Sequence, residues 1–157
     1  MKKIICLGVL LIMIFSLGAC GENYAYNDGD FSLTVTVDKD ELFIGEKVKI
    51  IAILKNLSDK EIHIQMSHTD FKKLDDMVLI GLFEENEEHD FILTSKGGPR
   101  SKLTIKKEAI ITRTVELQVD ISGNYEVSSL VVFYIGKGYA DPISIISESK
   151  KIFVKEV

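Results

Sequence analysis

From residue 31 onward, apolar and polar side chains alternate with period two. Phe31, Leu33, Val35 and Val37 are interleaved with Ser32, Thr34 and Thr36, as in a strand with one buried and one wetted face. Asp38 to Glu41 interrupts the pattern as a turn. Leu42-Phe43-Ile44 ahead of Gly45-Glu46 predicts a short edge piece and a tight bend. Val48, Ile50, Ala52 and Leu54 define one face of the segment Lys47 to Lys55. Ile51 and Ile53 on its other face predict a central strand covered on both sides at its middle. Asn56 to Lys60 has turn chemistry, and Ile62, Ile64 and Met66 mark the returning strand.

Thr69 to Asp76 is the one stretch with a helical signature, a capping Thr69 or Asp70 ahead of Phe71 and Leu74 three residues apart. Met77 to Phe83 and Phe91 to Thr94 are apolar runs separated by the acidic Glu84 to Asp90, and Ser95 to Lys102 is a loop holding Gly97-Gly98-Pro99. Leu103 and Ile105 open another strand. Ile111, Val115, Leu117, Val119 and Ile121 keep odd-numbered spacing, broken only by Arg113; Tyr125, Val127, Val131, Phe133 and Ile135 do likewise, and Ile152 and Val154 close the chain. Seven to nine short strands without a long period-3.6 segment predict an all-β, antiparallel sandwich over 31–157.

Ser122-Gly123-Asn124-Tyr125-Glu126-Val127 refines that prediction. A glycine two residues before a tyrosine that opens a late strand resembles the tyrosine corner of immunoglobulin-like domains, where the hydroxyl satisfies an upstream backbone group. The core tryptophan and cysteine pair of antibody domains are missing, so an Ig-like or fibronectin-like sandwich is expected instead. The order of strand, Gly45-Glu46, strand ending in Asn56, Ser58-Asp59-Lys60, strand and late Gly-x-Tyr-x-Val is similar to bacterial surface Ig-like modules. It is also similar to the intracellular proteinase inhibitor family of Gram-positive bacteria, although no residue of an inhibitory loop maps onto this chain.

The first nineteen residues follow different rules. Lys2 and Lys3 precede an unbroken apolar run from Ile4 to Phe15, and the segment ends in Leu17-Gly18-Ala19-Cys20, the layout of an export signal. The 16 uncharged residues from Ile4 to Ala19 fall short of the ~20 that a helix needs to cross the hydrocarbon. The segment resembles the lipobox of bacterial lipoproteins. That resemblance implies cleavage after Ala19, a diacylglyceryl group on the Cys20 sulfur and attachment to the extracytoplasmic face of a membrane, facing the periplasm in a host with an outer membrane. The alternative is an uncleaved anchor. Polar Gly21 to Asp30 reads as a tether, residues 20–30 in all; its Asn27-Asp28-Gly29-Asp30 lacks the ligand spacing of a calcium loop and reads as a turn.

Removal of residues 1–19 leaves 138 residues with 17 basic and 24 acidic side chains, a formal charge of −7. That length suits one domain with a genuine core, and that charge disfavours nucleic acid as a partner. Cys6 departs with the signal and Cys20 is consumed by lipid, so no disulfide is expected.

The chemistry-bearing residues are sparse. His63, His68 and His89 are the three histidines; the first two are five apart and face opposite sides of a continuous strand, which argues against a metal site. Ser122, Ser128 and Ser129 lie in turn or strand patterns without a nucleophile motif. Paired carboxylates occur only as exposed clusters without the apolar surroundings that tune acid catalysis. No catalytic residue, metal or cofactor is expected. The five carboxylates of Glu84 to Asp90 read as a solvated loop, offset by Lys96, Arg100, Lys102, Lys106 and Lys107. Asn56-Leu57-Ser58 matches a glycosylation sequon that has little meaning behind a bacterial-type signal.

Gly136 to Pro142 offers the best binding residues, Lys137, Tyr139 and Asp141, because the loop joins backbone freedom to an aromatic and two opposite charges. The reading is then a membrane-anchored, non-enzymatic binding or assembly module that recruits an extracytoplasmic protein or envelope component. A loop-mediated inhibitor of a secreted or surface protease is the alternative.

Overall fold

The computed structural model describes residues 28–66, 73–89, 91, 101–135 and 142–156. The expected signal peptide, Cys20 and all but the end of the tether lie outside the described residues, as do His68, Thr69 to Phe71, Ile92 to Thr94 and the loop residues Lys137, Tyr139 and Asp141.

The described residues form ten strands: β1 (Phe31–Val37), β2 (Glu41–Phe43), β3 (Lys47–Asn56), β4 (Ile62–Met66), β5 (Val78–Glu84), β6 (Ser101–Ile105), β7 (Ile110–Gln118), β8 (Gly123–Ile135), β9 (Ile143–Ile146) and β10 (Lys150–Lys155). β1, β3 and β7 make one sheet. The other runs β2-β10-β8-β4-β6, with β5 and β9 also paired to β8. This is the immunoglobulin arrangement, with β1, β3 and β7 as strands A, B and E and β4, β8 and β10 as C, F and G. The domain is an all-β, Ig-like sandwich. One pair departs from the antiparallel expectation: β2 runs parallel to β10. In the described part of the expected helical stretch lies a 3-10 turn, Asp75–Met77; residues 69–72 lie outside the described residues.

The count exceeds nine partly because the G position is split. Leu130 faces Ile146 on β9, but Val127 faces Lys150 on β10. Three steps along β8 therefore match four on its partner, a one-residue bulge at Ser147 to Ser149. Ser147 holds the ladder together there: its hydroxyl accepts from the Ser129 amide at 2.9 Å, and its own amide donates to the Ser129 carbonyl at 2.9 Å.

The predicted inward faces meet between the sheets. Val48, Ile50, Ala52 and Leu54 of β3 are buried, as are Ile62, Ile64 and Met66 of β4 and Val127, Val131 and Phe133 of β8. Phe133 meets Phe31 edge-on, ring centroids 5.1 Å apart. The outward Ile51 and Ile53 are half-buried rather than covered by a second layer. They stand between Thr36 and Thr114 and between Thr34 and Thr112 on the neighbouring strands, whose methyl groups give partial cover. Arg113 occupies the core-facing row because its partner across the strand is the small Ala52. Its guanidinium donates to the carbonyls of Asp76 (3.1 Å) and Asp75 (3.4 Å) and so holds the 3-10 turn against β7.

Two polar side chains lock the ends. Asn56 is buried with every hydrogen-bonding position used. Its amide nitrogen donates to the carbonyls of Lys60 (2.9 Å) and Lys106 (3.0 Å); its oxygen accepts from the Ser58 amide (3.0 Å) and hydroxyl (2.7 Å). The β3–β4 and β6–β7 turns are thereby tied together, and the sequon asparagine is inaccessible. At the corner before β8, the Tyr125 hydroxyl donates to the Ile121 carbonyl at 2.9 Å. Its ring packs 3.6 Å from where a Cβ would stand on Gly123, whose φ of +155° also suits glycine. Burial first, and Glu84 second, push the Tyr125 phenol above its ordinary 10.0.

Asn56→Ala takes a partner from the Ser58 amide and the Lys106 carbonyl, while the Lys60 carbonyl keeps the Ser58 hydroxyl, and is expected to lower the unfolding free energy by about 2–3 kcal/mol in urea titrations. Tyr125→Phe is expected to cost about 1 kcal/mol at neutral pH. The raised phenol has a second consequence. Its contribution is whole below pH 10.0 and is lost as pH rises through the higher folded value, since only the unfolded chain ionises readily there. Unfolding curves on either side of pH 10.0 should show a smaller alkaline loss for Tyr125→Phe than for the wild type.

Candidate functional site

Backbone geometry, more than side-chain chemistry, distinguishes one side of the sandwich. Among the described residues, β1 is bonded to β3 along one edge only. The Asp38 amide donates to Lys49 (3.1 Å) and the Leu57 amide to Asp30 (2.7 Å), which makes the even-numbered residues of β1 the ones bonded to β3. The amides and carbonyls of Phe31, Leu33, Val35 and Val37 therefore point out of the opposite edge. That edge opens on a groove of about 680 Å³ lined by Phe31 to Thr36, Ile145, Ile146, Glu148 and Lys150.

β9 forms the far wall. Among the described residues it is an edge strand as well, paired only to β8, and Glu148 of the bulge lines the groove. Ile145 is 8% exposed and belongs to the core, whereas Ile146 is 62% exposed and presents its side chain to solvent. Sequence reasoning missed this groove. β9 was not among the expected strands, and an open edge is a property of what does not pair with it.

A second cluster lies on the outer face of the large sheet. The Phe83 ring folds over Gly81, into the space that a Cβ there would need. His89 stacks on Phe83 with centroids 4.6 Å apart, and Phe91 meets Phe83 edge-on at 5.3 Å. His89 Nε2 lies 3.2 Å from a Glu126 carboxylate oxygen and Nδ1 lies 3.3 Å from the Ser128 hydroxyl. A serine, a histidine and a glutamate in line invite comparison with a catalytic triad. Ser128 is fully buried beneath the imidazole, however, so its hydroxyl cannot meet a substrate in this arrangement. His89 is thus packed on the sheet, whereas Glu84, Glu87 and Glu88 of the acidic run are exposed.

The turn before it is held by Asn86 in the left-handed region (φ 74°) and by a Glu87 amide donating to Glu84 at 3.1 Å. Among the described residues, the cation that meets it is Lys151, 2.5 Å from Glu85; Lys96 and Arg100 of the expected offset lie outside them. That contact, first as a hydrogen bond and then through charge, lowers the Glu85 carboxyl and raises the Lys151 amine. His63 is exposed, with Nδ1 3.0 Å from Thr104 and Nε2 3.7 Å from Glu61. Among the described residues, no three His, Cys, Asp or Glu side chains gather as metal ligands would.

No family model matches the chain, and no curated protein matches it. Among solved structures it is similar to Spo0M, a sporulation control protein of Bacillus subtilis, at 17% identity over 81% of this chain and 50% of that one, with a TM-score of 0.45. The chain thus spans half the length of that relative. It is similar to the CARDB domain of the PF1109 protein from Pyrococcus furiosus, solved with di-metal ions, at 8% identity over 80% and 92% of the two chains (TM-score 0.43). A PapD-like domain of human CEP192 is 11% identical over 87% and 93% (TM-score 0.41). The fold assignment rests on the strand order described above.

The two groove isoleucines should behave differently. Ile146→Ser is expected to change stability by less than about 0.5 kcal/mol, and Ile145→Ser to cost about 3 kcal/mol, in chemical denaturation.

Proposed function

We propose that the protein is a lipid-anchored, extracytoplasmic binding module, fastened to a membrane through Cys20, which uses the groove beside β1 to recruit a protein partner. The observation that carries the reading is that β1, among the described residues, leaves one edge unpaired above a groove with an exposed isoleucine. Edge strands are ordinarily blunted because they pair with other chains. The arrangement of Leu17-Gly18-Ala19-Cys20 behind an apolar run supports the anchor. Two acyl chains hold firmly where one holds marginally, at about 0.8 kcal/mol per buried methylene.

Recruitment follows from tethering. A partner near the membrane meets the groove at an effective concentration set by the short tether, so modest affinity suffices. Lys137, Tyr139 and Asp141 remain a second expected face on the β8–β9 connection. Protease inhibition through a loop is the other reading. Stoichiometric loss of activity across a panel of secreted proteases would favour it over recruitment.

The anchor has a direct test. Mass spectrometry of protein from host membranes should show Cys20 as an acylated N-terminus, and Cys20→Ser should leave the membrane fraction or accumulate uncleaved. An intact first nineteen residues with an unmodified Cys20 would sink the anchored reading.

A further inference from the structure

The chain enters the sandwich at one end, and that end carries apolar side chains on its surface. The Asp30 carbonyl accepts from the Leu57 amide at 2.7 Å, and Phe31 faces Asn56 across the β1–β3 ladder. On the other side of β3, Lys55 faces Ile110, and the Asn56 amide donates to the Ala109 carbonyl at 3.0 Å. Residues opposite one another in a ladder share a face of the sheet. The alternation therefore places Leu57 and Lys55 on the outer face with Ile110, while Asn56 and Ser58 point inward and are buried. Leu57 is 57% exposed and Ile110 64%. Ile53, half-buried, stands one step further in on the same face.

Resting on the anchored reading, we infer that this corner is a membrane seat: Leu57 and Ile110 enter the boundary between head groups and acyl chains of the bilayer that holds the anchor. The occupant follows from where the chain comes from. An acyl group on Cys20 leaves ten residues before Phe31, at most about 35 Å. An uncleaved apolar run would lead to the same corner. Lys55 lies between Ile53 and Leu57 on this face, so its stem can cover apolar surface while the ammonium reaches lipid phosphates. Two aliphatic side chains do not hold a free protein on a membrane. Here the anchor holds and the seat orients, because its contacts form at the effective concentration that the tether sets.

Charge points to a zwitterionic surface. Lys55, Lys106 and Lys107 are exposed at this end, but so are Asp59 and Glu108. Such a mixture suits head groups carrying both signs, whereas the net negative charge of the chain opposes an anionic leaflet. The corner is also preformed. The hydrogen bonds of Asn56 tie together the turns beside Leu57 and Ile110, so seating orders little that is not already fixed. The far end of the sandwich shows apolar side chains too, Ile121 at 65% exposure and Phe43 at 49%. β7, with nine residues, puts Ile121 about 27 Å beyond Ile110, so that end points away from the bilayer when the near corner is seated.

The chain contains no tryptophan, so a single introduced indole reports its own surroundings. Leu57→Trp, Ile110→Trp and Ile121→Trp are each made in the full chain, purified from host membranes and reconstituted into phosphatidylcholine vesicles brominated on the acyl chains. The first two variants are expected to shift their emission to the blue and to lose most of it to bromine. Ile121→Trp shares the preference of indole for interfaces and is expected to do neither. Adding Ile110→Ser to Leu57→Trp should restore much of the lost emission, and added salt should leave the quenching unchanged. The substituted positions are exposed, so melting temperatures should be retained; if one tryptophan disturbs the fold, the other reports the seat by itself.

Equal quenching at the three positions, stronger quenching of Ile121→Trp, or none in either Leu57→Trp or Ile110→Trp overturns the proposal. A blue shift without quenching also overturns it, by giving the corner to a second copy or another protein. Failure of the anchor reads differently. If Cys20 is acylated in host membranes but the three tryptophans are quenched alike, the anchored reading stands and the seat falls. If Cys20 is unmodified and only Leu57→Trp and Ile110→Trp are quenched, the seat stands and the acyl anchor falls.

Discussion

The large sheet hangs from β8. Its 13 residues pair with β5 and then β4 along one edge and with β10 and then β9 along the other. No other strand of that sheet touches so many partners. The same strand supplies Phe133 to the centre of the core and Tyr125 to the corner that starts it. Register along β8 therefore sets register everywhere in its sheet, and a slip of one residue would turn its apolar face to water. The Tyr125–Ile121 bond opposes that slip at one end, and the Ser129–Ser147 exchange opposes it in the middle. Across the sandwich, Asn56 does the corresponding work for the turns at one end.

The groove is a consequence of how the two faces of β8 are shared out. A single straight strand at the G position would present one continuous edge along β8. The bulge at Ser147 breaks that edge into β9 and β10 and reverses which residues face inward. Ile145 is buried before the bulge and Ile152 after it, an odd number of residues apart. The break leaves Ile146 outward on a short, uncharged edge opposite β1, with Glu148 between the halves. A local backbone irregularity, stabilised by one serine hydroxyl, is thus what gives this side of the sandwich its shape.

Much of this was legible in the sequence, for specific reasons. Strict alternation in β1 and β3 named the buried residues of both, and Gly123 with Tyr125 anticipated a corner bond that the structure contains. Period-two reasoning failed where its premise failed. Across the β9–β10 bulge no single parity holds, so Ile143 to Ile146 escaped notice as a strand. Arg113 looked like an interruption of an apolar row, but it belongs to that row because Ala52 opposite leaves space and backbone carbonyls await it. His89 looked solvated because its neighbours in sequence are acidic, whereas its neighbours in space are Phe83, Glu126 and Ser128. Cys20 and the Tyr139 loop stand as sequence expectations, since both lie outside the described residues.

The proposed tether and the open edge bear on one another through distance. Ten residues separate Cys20 from Phe31, enough to span at most about 35 Å. β1 is the strand that the proposed tether feeds, so its edge is the part of the domain whose reach from the bilayer would be most tightly bounded. A partner in the groove would be held within that distance plus the length of the strand itself. For a partner that is membrane-associated, the short leash keeps the loss of translational freedom on docking small. For a partner diffusing away from the membrane, the same leash gives no such advantage. The proposed arrangement would therefore favour partners that already reside at the membrane surface.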